Sequence, residues 1–233
     1  MLRGSLSLIF VIIVFAIGLR ILFKYFKYKK IEFITIGLTW IFLSSAWWWG
    51  VLNFLEILIF NIRASSFLYL ILANFFVPWA LLSWIYSLTC LIYQNKKKLL
   101  LSIFSIICIS YEILLIVLLI INPSMIGVEI NPNVVSRTAL TLSFSIFAII
   151  IAVITGLFLA SHLIKSTDQR TKIRGFFLLS AFLLLTAGAA LDSFSWTNLI
   201  MIAIIRTLLI LSSIAYYFGF FLPERIAKLI IKE

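Results

Sequence analysis

Glu112 and Arg206 are ionisable residues set inside long apolar stretches of this 233-residue chain. A charge in hydrocarbon is costly, so such residues pair or face a polar cavity, and by default they mark functional positions. Glu112 lies nine residues before one apolar stretch ends at Ile121, and Arg206 seven residues after another begins at Leu199. At about 1.5 Å of rise per helical residue, both stand about 10–14 Å inside the same surface. The matched depth predicts a buried ion pair lining an outward-opening pocket, where it holds a ligand or a two-state helix contact. A purely structural pair, or two side chains that each snorkel toward water, would give the same pattern. Asp192, at the end of a neighbouring stretch, is a further acid that could cap or compete for Arg206.

Asn74, Pro78 and Trp79 form a second constellation. Proline has no amide hydrogen, so in a helix the Asn74 carbonyl, four residues earlier, loses its donor. A kink lined by a free carbonyl, an amide and an indole suits a polar ligand; an ordinary kink satisfied by a neighbouring helix is the plain alternative. Thr138, Thr141 and Ser145 recur at i, i+3, i+7, a hydroxyl stripe of the kind that more often joins helices than forms a site. Gly188 among its alanines, and Ala215 with Gly219, are small enough to let helices approach closely.

Several chemistries are missing from this inventory. Every lysine lies in a basic run or tail, so no mid-span amine is available for a retinal Schiff base. His162 is the sole histidine, which excludes a bis-histidine haem within one chain and a histidine-rich zinc site. Ala190-Leu191-Asp192 resembles a membrane aspartyl protease motif, but no second mid-span aspartate exists to share its proton. No cofactor, no metal and no enzymatic activity is expected.

The elements that must position these groups are apolar stretches at residues 5–22, 33–49, 66–93, 99–121, 138–164, 175–191 and 199–221. Each is long enough for a helix to cross about 30 Å of hydrocarbon. The chain is 64% hydrophobic and 12% charged, too poor in polar residues to cover a soluble exterior. The expected fold is an all-α polytopic membrane protein, a bundle of seven transmembrane helices in a single domain over residues 1–233. Its surroundings are the lipid bilayer of the cell membrane. The first stretch has no small-residue cleavage site and reads as a retained span. Cys90 and Cys108 fall at different depths and imply no disulfide framework.

Charge sets the expected orientation. Fifteen of the nineteen lysines and arginines fall in the connections after stretches one, three and five and in the tail; Arg3, Arg63, Arg137 and Arg206 remain for the other side. The positive-inside bias then puts the amino terminus outside and the carboxyl terminus in the cytoplasm. It also accounts for the net charge of +11 without nucleic acid. Residues 51–62, with Asn53, Glu56 and Asn61, read as an outer interfacial or re-entrant helix, preceded by an aromatic anchor at Trp47, Trp48 and Trp49. Residues 122–136, with Pro123, Gly127 and Pro132, read as an ordered outer loop, and residues 224–233 as a short amphipathic cytoplasmic tail.

The exit of the last stretch, Tyr216-Tyr217-Phe218-Gly219-Phe220-Phe221-Leu222-Pro223, resembles the end of the seven-span sensor modules of prokaryotic receptor histidine kinases. The layout, with Gly37-Leu38-Thr39-Trp40-Ile41-Phe42-Leu43-Ser44-Ser45, is similar to archaeal seven-span membrane proteins. This resemblance implies a sensor or receptor-like module. With ten residues after Pro223 and no output domain, a signal would pass to a separate cytoplasmic or membrane protein partner. Two readings stand beside it: a partner-dependent structural or assembly subunit, which needs packing alone, and a small-solute transporter, which needs a polar path to both faces. Glu112, Arg206, Asn74, Trp79 and Asp192 are the expected ligand-binding or buried polar residues. The oligomeric state stays open.

Overall fold

A computed structural model describes residues 2–131, 134–192 and 198–230. Pro132 and the last three residues of the 224–233 tail, both part of the reading above, lie outside them. The fold is all-α apart from one short hairpin. It divides into two compact units, Met1–Ile150 and Ile151–Glu233.

The first unit opens with α1 (Leu2–Tyr28), α2 (Glu32–Leu43), α3 (Ser45–Phe60), α4 (Ser66–Asn74), α5 (Phe76–Leu91) and α6 (Lys97–Ile121). β1 (Gly127–Asn131) and β2 (Val134–Arg137) pair antiparallel, with Gly127 opposite Arg137, and α7 (Ala139–Ile164) follows. Helix α2 packs between α1 and α5, and α5 also lies against α6. Contact between α1 and α2 is close because two glycines face each other: a Cβ on Gly37 would stand 2.5 Å from the Gly18 carbonyl oxygen.

In the second unit the later part of α7 is followed by α8 (Gln169–Asp192), α9 (Leu199–Phe220) and α10 (Glu224–Ile230). The small residues noted in the sequence lie at its seams. A Cβ on Gly188 would meet Leu209 at 2.8 Å, and one on Gly219 would meet Leu178 at 2.5 Å. Gly156 makes room for the Phe182 ring, and Gly175 for the backbone of Ala160 and Ile164. With little hydrophobic drive between helices in lipid, such backbone-close contacts carry the packing.

Among the described residues six helical segments are long and apolar enough to cross a membrane, or seven if the bent pair α2–α3 counts as one span. This is a multi-pass membrane protein. The second stretch departs from expectation, because its helix breaks at Ser44 rather than near Gly50. The Ser44 amide bonds back to the Ile41 carbonyl at 3.1 Å, and the Ser44 hydroxyl donates to the same oxygen at 2.7 Å. A serine that captures its own backbone tightens the turn, and the two arms diverge by 54°. Trp48 Nε1 locks the break by donating to Ser44 Oγ at 2.8 Å. Trp47 and Trp48 therefore lie in the second arm and pack on Phe10 and Phe15 of α1, at 5.1 and 5.4 Å between ring centroids. Helix α2 alone, with 12 residues, rises about 18 Å and cannot span.

Two smaller differences concern the connections. Arg20, Lys24 and Lys27 sit on the last turns of α1, which ends where Lys29 turns left-handed at φ 54°; the basic run is largely helical. The 122–136 connection contains a 3₁₀ turn, Pro123–Met125, and the hairpin, and it contributes Ile126, 0% exposed, to an apolar cluster with Leu70, Tyr111, Leu115 and Leu119. The hydroxyl stripe explains why this connection is ordered. Thr138 Oγ1 donates to the Met125 carbonyl at 2.7 Å, and Thr141 Oγ1 to that of Ile126 at 3.0 Å.

Candidate functional site

In the second unit Arg206 is buried, 2% exposed, on the second turn of α9. Its Nη1 donates to Asp192 Oδ2 at 3.0 Å across the α8–α9 connection. Asp192 ends α8 and stays partly exposed, so the pair runs from interior to rim. Of the two acids that the sequence offers Arg206, Asp192 is the one joined to it.

Glu112 is in the first unit, on the face of α6 that buries Cys108, Tyr111, Leu115 and Leu119. It is 7% exposed, and among the described residues neither carboxyl oxygen has a hydrogen-bond partner. A buried polar group without a partner loses its hydration and gains nothing in return. Asn74, 0% exposed at the end of α4, is half satisfied: its Nδ2 donates to the Leu70 carbonyl at 2.8 Å, while Oδ1 has no partner among the described residues. Pro78 is buried one turn further on, in α5, and Trp79 turns outward at 43% exposure, away from the buried groups. Chain direction puts Asn74 one turn beyond Leu70, which packs with Tyr111 and Leu115, so Asn74 and Glu112 occupy neighbouring levels of the unit.

Hydroxyls nearer the opposite end are satisfied internally. Thr35 and Ser87 bond to each other at 2.8 Å, Thr39 donates to the Thr35 carbonyl, and Thr89 to that of Tyr86. In the second unit Ser212 and Ser213 both donate to the Leu209 carbonyl.

Arg137 is a group that sequence reasoning passed over. It ends β2, half-buried, and reaches back over α7 to donate through Nη1 to Ser145 Oγ at 3.2 Å, and through Nε to the Tyr69 hydroxyl at 3.4 Å. Phe144, beside Ser145, stacks on Tyr111 with ring centroids 3.6 Å apart and planes 7° from parallel. The available signal was its place one residue before the hydroxyl stripe, as one of four basic residues away from the basic connections. Compared with protein-family models, with curated proteins and with solved structures, the chain matches none.

Proposed function

We propose that this chain is a sensor or receptor-like module of the cell membrane, with α2–α3 as one bent span among seven. In this reading the amino terminus and the hairpin lie outside and the carboxyl terminus is cytoplasmic. It responds to a ligand or protein partner in the outer half of the bundle and passes the change to a separate protein. The observation that carries the reading is Glu112, a carboxyl group inside a membrane helix with both oxygens buried and unbonded. A resident group left so unsatisfied is explained by something that arrives to satisfy it. The internally bonded hydroxyls toward the other end favour a site open to one face over a transport path, which must be wetted from both.

The test compares wild-type protein with Glu112→Gln. After photocrosslinking in native membranes, the sensor reading expects a partner whose recovery changes in the variant. An identical partner set in both proteins supports a structural subunit instead, and solute flux in proteoliposomes supports a transporter. Topology is checked separately: a reporter after Glu233 should be cytoplasmic, and one in the 165–174 connection that is active outside would overturn the span assignment.

A further inference from the structure

Among the described residues of the first unit, Arg137 and Glu112 are a basic and an acidic group that pair with no group of opposite charge. The Arg137 guanidinium has five N–H donors, and its two bonds, both long, go to the neutral hydroxyls of Tyr69 and Ser145. Among the described residues no carboxylate pairs with it, and none of the basic side chains bonds to Glu112. Tyr69, which holds Arg137, packs on the apolar cluster that contains Tyr111. Tyr111 is the chain neighbour of Glu112, and its ring lies flat on Phe144, the chain neighbour of the serine that holds Arg137. The half-paired guanidinium and the unbonded carboxyl group thus belong to segments that this aromatic stack joins. In low dielectric a buried carboxyl group without a partner and a half-paired guanidinium are each costly.

We propose that this part of the first unit binds a small zwitterion. Its cationic nitrogen meets the Glu112 carboxyl group, and its carboxylate or phosphate meets Arg137, whose planar fork suits two-oxygen anions. A ligand with both charges satisfies both protein groups at once, whereas one with a single charge leaves the other group unbalanced. The inference rests on the reading of Glu112 as the responsive group and adds the chemistry of what it takes. A free solute and an ethanolamine-type lipid headgroup share that chemistry, so the test separates the two.

The full chain is placed in nanodiscs of phosphatidylglycerol, which has no amine. Its thermal unfolding midpoint is followed against glycine, 4-aminobutyrate and O-phosphoethanolamine, with butylamine and butyrate as single-charge controls. Ligand that binds the folded state raises the midpoint by mass action. At least one zwitterion should raise it saturably, both controls should have much less effect, and Glu112→Gln and Arg137→Gln should each weaken binding at least about tenfold, the loss of one charged contact. If Arg137→Gln does not fold, Arg137→Lys keeps the charge, loses the fork and should still weaken the carboxylate or phosphate end. A rise with phosphatidylethanolamine in the disc, abolished by the same variants and unmatched by any soluble probe, assigns the site to the lipid headgroup. The proposal is overturned if no zwitterion or amine lipid stabilises the protein, if the single-charge controls do so equally, or if the shift survives Glu112→Gln. Loss of zwitterion binding alongside an intact Glu112-dependent partner would remove this inference and leave the sensor reading standing.

Discussion

Arg206 and Glu112 are both ionisable side chains with less than a tenth of their surface exposed, yet the two units treat them differently. In the second unit the arginine has a carboxylate at 3.0 Å, and α8 and α9 approach at glycines until backbone and leucine tips touch. In the first unit the Glu112 carboxyl group has no hydrogen-bond partner among the described residues, and Arg137 bonds to the neutral hydroxyls of Tyr69 and Ser145. A charge whose partner is built in holds two helices together. One without such a partner destabilises the resting fold and is the better candidate for function. The contrast also distinguishes Asp192, at a rim, from Glu112 on a packed helix face: a partly wet acid keeps its charge cheaply while it serves a buried cation.

The largest expected effect breaks the satisfied pair. Asp192→Asn leaves a buried guanidinium without its carboxylate and should cost about 3–5 kcal/mol, read as a lower unfolding midpoint in detergent. Combining it with Arg206→Met should recover much of the loss, because the two changes are coupled. Additive losses would mean that the pair contributes little.

A smaller effect compares the two seams. Gly37→Ala and Gly219→Ala both overpack and should cost about 1–3 kcal/mol. Gly37→Ala should be the worse, since its Cβ meets a backbone carbonyl at 2.5 Å whereas that of Gly219 first meets a leucine side chain that can shift. The reverse order would show the second unit to be the less forgiving one.

Glu112→Gln sharpens the contrast from the other side. No hydrogen bond among the described residues is lost and a buried ionisable group is removed, so stability should change by less than about 1 kcal/mol or rise. A loss like that of Asp192→Asn would show that Glu112 is paired after all.

The smallest effect is a cap that faces water. Asp168, just before α8, accepts from the Thr171 hydroxyl at 2.6 Å and from its amide at 2.9 Å, and the hydroxyl bond first of all holds the carboxyl below its usual range. A folded value below the unfolded one contributes stability above the ordinary carboxylate range, and that stability is lost as pH falls below about 4. Asp168→Asn should flatten the dependence of the midpoint between about pH 5 and pH 3, with little change at neutral pH.

The class of this protein and most of its spans were legible one stretch at a time, because crossing hydrocarbon demands long apolar runs whatever the neighbours do. The close-packing glycines of α8 and α9, Gly188 and Gly219, were equally readable, since closeness needs small residues on the helix itself, whereas the facing of Gly18 and Gly37 emerged only in the fold. The partner of Arg206 was half legible: matched depth put Glu112 forward, a place at the end of the neighbouring stretch put Asp192 forward, and only the folded α8–α9 connection chose Asp192. The break at Ser44 came from a serine turning back on its own carbonyl, a choice between local and helical bonding that surrounding packing decides. Arg137 was passed over because its two partners, Tyr69 and Ser145, come from separate segments that only the fold brings to it. Length, class and span positions belong to the sequence by itself, since solvation acts on each residue separately. Which charges are paired and which are left waiting was decided by tertiary structure, since pairing depends on where two distant segments place their side chains.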